Sequence, residues 1–526
     1  MKLLDSKIFP LLIMATAFFT ACQKQFLDRP PIGQISADNF YQTTSDLRLA
    51  TAALYGGKPW AEWNYNCYLP IGEVLSGNMV VGYWNDAVQL NTFSITGQNA
   101  ITATNWSGMY KIIAHCNVTI NAIQQKAPES IPEKDRNAAI AEAKFIRGFA
   151  YHSLAMLWGS VPIIEDNEKL ITAPLINRIV VEDVYKFIVR DLRYAADNLP
   201  LSDAAGRVTT WSAQGMLAKT YLTMAGLGQS AGTRNQTYLD SAKMYAGNVC
   251  KASGLSLSSN YADIFKSQYN NNPEALFSLQ WAPGVGWSEG NMLQIYSPGG
   301  TAISPDGQAG WFSIQPTMDI YGLYVPDDSI RRKATFMLRD DYYPELNTAG
   351  GGFTFTGDTG LKKHIIGTRA DNNAPTMTLT SSVEHNALLR LADVYLIYAE
   401  AVLGNNATTT DPEALLYFNK VRQRAGLATL SILNADILLR ERRIELAAEG
   451  HFWYDLVRLS YYNPQKAINI LNSQQRVNFT YADGVATPGD PYGLITPASI
   501  GTFTFPIPSA EITANPKLAE PAVHYF

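Results

Sequence analysis

Two groups of residues in this chain could do chemistry. The first is Glu441-Arg442-Arg443-Ile444-Glu445, followed by Glu449-Gly450-His451-Phe452-Trp453-Tyr454-Asp455 and Arg458. Carboxylates and an imidazole this close together suggest a metal centre or an acid/base pair. The spacing argues against both. No HExxH pair is present, and Glu449-Gly450-His451 offers no ligand pair one helical turn apart. The expected role is structural: Arg442, Arg443 and Arg458 pair with Glu441, Glu445 and Asp455 and lock a helix end into the core. Asp306, Asp319, Asp327 and Asp328 are further acids. Glycoside hydrolysis would need two of them facing across a sugar, ~5–9 Å apart, and no local signature joins them. Asp358, in Gly357-Asp358-Thr359-Gly360, reads as a tight turn rather than a metal ligand. The chain has only six histidines and four cysteines, with no CxxC and no cysteine–histidine spacing for zinc. No catalytic residue, metal or cofactor is expected.

The second group is aromatic. The chain holds 28 Tyr and 10 Trp against 21 Phe, and the first two types combine a flat apolar face with a polar handle. Segment 56–106 supplies Trp60, Trp63, Tyr65, Tyr68, Tyr83, Trp84, Asn85, Asp86 and Asn91. Segment 280–312 supplies Trp281, Trp287, Asn291, Tyr296, Gln308 and Trp311. A sugar ring presents a C–H face that stacks on indole or phenol, while its hydroxyls need amides and carboxylates. Tryptophan at this density in glycine-rich stretches points to a binding surface, with Trp106 and Trp281 expected in the core. The expected ligand contacts are Trp84, Trp287 and Trp311, then Tyr83 and Tyr296, with Asn85 and Asp86 as polar partners.

The elements that must position these residues are mostly helical. Segment 142–158 repeats Ile146, Phe149, Ala150, Ser153, Leu154 and Leu157 on one face and stops at Gly159 and Pro162. Segments 182–199, 210–226 and 238–251 carry the same period. Segments 388–403, 412–425 and 435–450 form a second helical block, with Asp411-Pro412 as an N-cap and first-turn proline. The expected scaffold is mainly α, an array of tetratricopeptide-like helical hairpins over about 107–252 and 387–460. Segments 56–106 and 254–386 read as loop-rich ligand-binding regions with short strands at 275–281 and 352–356, and 464–526 as a loop-rich C-terminal part.

At the start, Lys2 and Lys7 precede an apolar run over 8–19, too short to span a bilayer comfortably. Phe19-Thr20-Ala21-Cys22 is similar to a bacterial lipobox, in which the cysteine becomes lipidated and is the first residue of the mature chain. Loss of 1–21 removes Lys2, Asp5 and Lys7 and leaves a net charge of −6. Acyl chains, rather than attraction to an anionic surface, would then anchor the protein. Such a charge also excludes a typical nucleic-acid binder. Of Cys67, Cys116 and Cys250, an odd number, at least one must be free, and Cys116 and Cys250 sit in apolar helical contexts.

Several stretches together resemble the SusD/RagB family of Bacteroidetes outer-membrane lipoproteins. Phe26-Leu27-Asp28, Pro30 and Asn39-Phe40-Tyr41 resemble its N-terminal motif. The stretch 141–158 with Gly159-Ser160-Val161-Pro162 is similar to its AEARFLRAFYYF helix and FGxVP turn. Gly206-Arg207-Val208-Thr209, Leu391-Ala392-Asp393-Val394, Tyr398-Ala399-Glu400-Ala401, Asn419-Lys420-Val421-Arg422 and the Glu441 to Arg458 stretch match further motifs in order. Pro506-Ile507-Pro508 with Glu511-Ile512 and Asn515-Pro516 matches the end. The resemblance implies a cell-surface binding lipoprotein, without catalysis, single-domain from Cys22 on and anchored through that residue in the outer membrane, facing outward. It further implies capture of oligosaccharide for a partner, a SusC-like TonB-dependent β-barrel transporter, which the protein caps as a lid. The alternatives are the same lid binding peptide, or a surface glycoside hydrolase.

Overall fold

The computed structural model describes residues 40–526, apart from Ser230, Gly299, Ala309, Phe312 and Ser313. The expected leader, Cys22 and the stretch at Phe26 lie outside the described residues. Five helices follow in sequence and each packs on the next: Ala100–Lys126, Glu133–Trp158, Val181–Asn198, Thr210–Gly226 and Gln236–Ala252. Their starts are written in short polar side chains. Asn99 accepts from the Ile101 and Thr102 amides, and Asn235 from the Tyr238 amide. Thr209, just before the first helical residue Thr210, forms a capping box with Ser212. Each such cap is worth ~1 kcal/mol. Small residues let the helices approach: a Cβ on Gly148 would sit 3.1 Å from Leu192, and one on Gly247 would sit 3.2 Å from Tyr398.

After Ala252 the chain leaves the array and returns at helix Leu391–Leu403, which packs on Gln236–Ala252 and Thr210–Gly226. The two ends of this excursion are tied by antiparallel strands Ala275–Ser278 and Ala387–Arg390, with Phe277 opposite Leu389. The strand explains why the helix begins at Leu391 rather than 388. Helix Pro412–Arg424 starts at Asp411, whose side chain takes the Glu413 and Ala414 amides. Helix Ala435–Glu445 ends sooner than its apolar period, because Ala448 (φ 61°) and Gly450 (φ 73°) turn the chain through the left-handed region. One apolar core runs through the array, from Leu47 to Leu518. The fold is mainly α, as expected.

Segment 56–106 differs from its loop-rich expectation. Helix Lys58–Trp63 continues into π-helical turns, Asn64–Tyr68 and Pro70–Val74, and helix Asn85–Asn91 follows. Its glycines and asparagines suggested loops, but Trp60, Trp63 and Cys67 lie at helical spacing and are all buried. The wider π turn brings backbone onto backbone. A Cβ on Gly72 would lie 2.2 Å from the Gly450 Cα, and the neighbouring Glu73 carboxylate accepts the Gly450 amide at 2.7 Å.

The acid- and arginine-rich stretch at 441–458 is buried as a structural network; Asp455 takes Arg442 and Arg458 as expected, while Arg443, Glu441 and Glu445 find other partners. Arg442 holds Asp393 and Asp455, and Arg458 holds Glu400 and Asp455. Arg443 instead reaches Asp319 at 2.6 Å. Glu441 takes Arg331 and Arg422, and Glu445 takes Arg331, Arg390 and Arg424. Apart from Asp455 and Arg458, one turn apart on one helix, the partners come from other elements, because sequence neighbours on a helix face different ways. Burial opposes ionisation of Glu449, but Arg390 and then Lys363 outweigh it and hold the carboxyl well below its usual range. Lys363 and His364 belong to the excursion, so the network fastens that excursion to the array.

Candidate aromatic binding platform

The two aromatic segments are far apart in sequence and meet through a short antiparallel pairing, Met79 with Pro316 and Val80 with Gln315. Tyr83 and Trp84 follow one of these strands, and Trp311 precedes the other. The Tyr83 hydroxyl donates to the Trp311 carbonyl at 2.9 Å, and the Trp311 amide donates to the Ile295 carbonyl at 2.7 Å. Gly310 permits this close run, because a Cβ there would lie 1.9 Å from the Ser297 hydroxyl.

At the centre stands Tyr65, on the π-helical turn. Its ring lies 6.5 Å from Trp84 and 5.8 Å from Tyr296, with near-parallel planes (14° and 20°). Trp287 and Trp311 meet it edge-on at 6.3 and 6.1 Å. These two indoles lie 6.2 Å from each other, tilted by 32°. Trp287 is 57% exposed, Trp311 47% and Tyr83 64%, whereas Trp84 and Tyr65 are half-buried. Burial, then the nearby Tyr83, pushes the Tyr65 hydroxyl up to about 12, so it stays a neutral phenol.

The structure thus brings Tyr83, Trp84, Trp287 and Trp311 to one surface. Tyr296 is at that place but beneath it: it is buried, and its hydroxyl donates to the Tyr65 carbonyl at 2.7 Å. It supports Tyr65 and does not face solvent. Asp86 is also committed, since its carboxylate accepts the Ala100 amide at 3.0 Å and so braces the start of a long helix. Asn85 is exposed beside Trp84.

Other aromatics of these segments are core. Trp60, Trp63, Tyr68, Trp106 and Trp281 are buried, and the Trp63 indole donates to Asn105 at 2.6 Å. Asn91 is buried as well, and so is Asn291, whose amide bridges to Asn64 and the Glu384 carbonyl. The central role of Tyr65 was not singled out from sequence. The signal was there: Trp60, Trp63 and Cys67 mark the inward face, and Tyr65 falls off that stripe.

The acids considered for hydrolysis do not converge. Asp306 accepts the Gln308 and Leu379 amides, Asp319 pairs with Arg443 and Asp328 with Arg331. Asp358 pairs with Arg339 at 2.7 Å. Among the described residues no group of three His, Cys, Asp or Glu side chains could hold a metal ion, and no helix is long and apolar enough to cross a membrane. Cys67, Cys116 and Cys250 are free; the first two are buried, while Cys250 is only partly so.

Comparison with known proteins places this geometry in a family. Residues 346–525 match the SusD family profile, and residues 47–222 match a profile described as starch-binding associating with the outer membrane. A SusD-like protein of Bacteroides ovatus is 37% identical over 98% of both chains. One solved structure, 35% identical, superposes with a TM-score of 0.87 over 93% of this chain and 99% of its own. Another, solved with xylogluco-oligosaccharide, is 36% identical, with a TM-score of 0.83 over 91% of this chain and 99% of its own. The chain belongs to the SusD family, whose members are carbohydrate-binding proteins and not enzymes.

Proposed function

We propose that this protein is a lipid-anchored surface receptor that captures oligosaccharide on the Trp84, Trp287 and Trp311 platform. It then hands the ligand to a TonB-dependent β-barrel transporter for import. The observation that carries the reading is the convergence of aromatic rings from two distant segments on a common tyrosine, with the Trp287 and Trp311 indoles exposed. Exposed indole is unfavourable in water unless a ligand covers it, and planar C–H faces of sugars do so at little entropic loss. The relative bound to xylogluco-oligosaccharide supports a glucan chain bearing xylose branches as ligand class. The lipobox-like Cys22 and the family description support anchorage at the outer membrane.

The test is titration calorimetry with xylogluco-, cello-, laminari-, manno- and malto-oligosaccharides, on the wild type and on Trp287→Ala and Trp311→Ala. Binding of one class, weakened at least tenfold in either variant, is the expected result. Binding that survives both substitutions, or recognition of peptides alone, would sink the proposal. Palmitate labelling lost in Cys22→Ala and co-purification with a β-barrel protein test anchor and partner.

A further inference from the structure

A cavity of about 400 Å³ lies between the turn Tyr261–Phe265, the helix Ser329–Thr335 and the strand Tyr342–Tyr343. It shares no residue with the platform. Its volume falls in the range of small-ligand sites, well beyond what a lone ion needs. Three lysines line it, Lys266, Lys333 and Lys362, against one carboxylate, Glu345.

The charges are incompletely matched. Lys266 pairs with Asp263 at 2.6 Å, outside the lining. Lys362 is buried, with its side chain 7% exposed, and reaches Glu345 only at 3.4 Å and the Ile365 carbonyl at 3.2 Å. Lys333 pairs with no carboxylate among the described residues. Its ammonium sits 5.3 Å from the Tyr343 ring centre, and that of Lys362 sits 5.4 Å from the same ring. Burial, and to a lesser degree the positive charge of Lys266, holds the Lys362 pKa below its ordinary value despite Glu345. An anion in the cavity would relieve that strain in charge. The cavity also offers apolar surface: Tyr342 is 46% and Ile330 42% exposed.

We propose that this cavity is a second carbohydrate site, selective for a sugar ring that carries an anionic substituent, a hexuronate carboxylate or a sulfate ester. Lysine ammoniums bind such groups as point charges, while the tyrosine and isoleucine faces take the C–H surface of the ring. Tyr83, Trp84, Trp287 and Trp311 of the platform are all uncharged side chains, so the two sites divide neutral backbone from acidic units. This proposal does not depend on what the platform binds.

The experiment is calorimetry of the purified protein in 50 mM NaCl with trigalacturonate, a sulfated tetrasaccharide, cellotriose and sodium sulfate. At least one anionic sugar binds, cellotriose does not compete, and raising NaCl to 500 mM weakens the complex. Lys333→Ala lowers affinity about tenfold, as for a lost charge-assisted contact, with an unchanged melting temperature because that side chain is partly exposed. Lys362→Met does the same if it folds. Trp311→Ala leaves the anionic complex intact. The proposal is overturned if neither anionic sugar binds, if Lys333→Ala has no effect, or if Trp311→Ala abolishes binding. It is equally overturned if sodium sulfate alone binds as tightly as the sugars.

Discussion

Replacing Tyr65 by alanine is the sharpest test of how the platform is built. Tyr65 touches Trp84, Tyr296, Trp287 and Trp311, and three of these four rings form the proposed binding face. Removing one aromatic partner forfeits ~0.5–1.5 kcal/mol per ring pair beyond buried area. These terms are not additive, because the freed indoles relax together. A loss of about 2 kcal/mol in glycan affinity follows, near thirtyfold in Kd. The fold should bear the change, since Tyr65 is half-buried and the turn is held separately by Asn64, which bonds Asn291 and Asn386. Tyr65→Phe keeps every ring contact and should bind within about threefold of wild type. Calorimetry with the best oligosaccharide, beside thermal unfolding, reads both quantities. The reasoning fails if Tyr65→Ala binds like wild type while the other platform substitutions do not. It fails equally if Tyr65→Phe loses as much as Tyr65→Ala, because the hydroxyl would then be the active part.

Three further outcomes follow from the scaffold. Arg390→Met removes one buried partner shared by Glu445 and Glu449 and should destabilise by about 3–5 kcal/mol, seen as a lower melting temperature; an unchanged melt would refute the network's role in holding the excursion. Gly72→Ala places a methyl against the Gly450 backbone, and a loss of about 3 kcal/mol or failure to accumulate as folded protein is expected in denaturant unfolding. His152 is buried and held neutral, its pKa lowered to about 3 by burial and then by Lys219. The unfolded chain takes up that proton near pH 6.5, so stability is full above that pH and falls as pH drops toward about 3. Subtracting His152→Gln from wild type at each pH should isolate a loss confined to this window, and a flat difference would exclude it.

Much of the scaffold was legible because helices advertise themselves. The apolar period of 142–158 and the Asp411-Pro412 start both reappear as helices, with ends set by caps and left-handed residues. The π-helical stretch was not legible, since its glycine and asparagine content imitates a loop while tertiary packing of Trp60, Trp63 and Cys67 decides its conformation. The exposed indoles of the platform could be chosen from composition and local context. The burial of Tyr296, and the bonding of Asp86 to the Ala100 amide, could not, because both depend on partners distant in the fold or in the next element. The cross-pairing of arginines and acids was hidden for the same reason: charge type is written in the sequence, but not which helix face meets which.

The pairing of Met79–Val80 with Gln315–Pro316 spans well over two hundred residues of chain. A chain still being synthesised therefore carries half of the aromatic platform long before the other half exists. Contacts of such long sequence separation form late and slowly. Affinity at the proposed platform would then be a timestamp of completed folding: a chain stalled before the excursion closes would present its indoles singly.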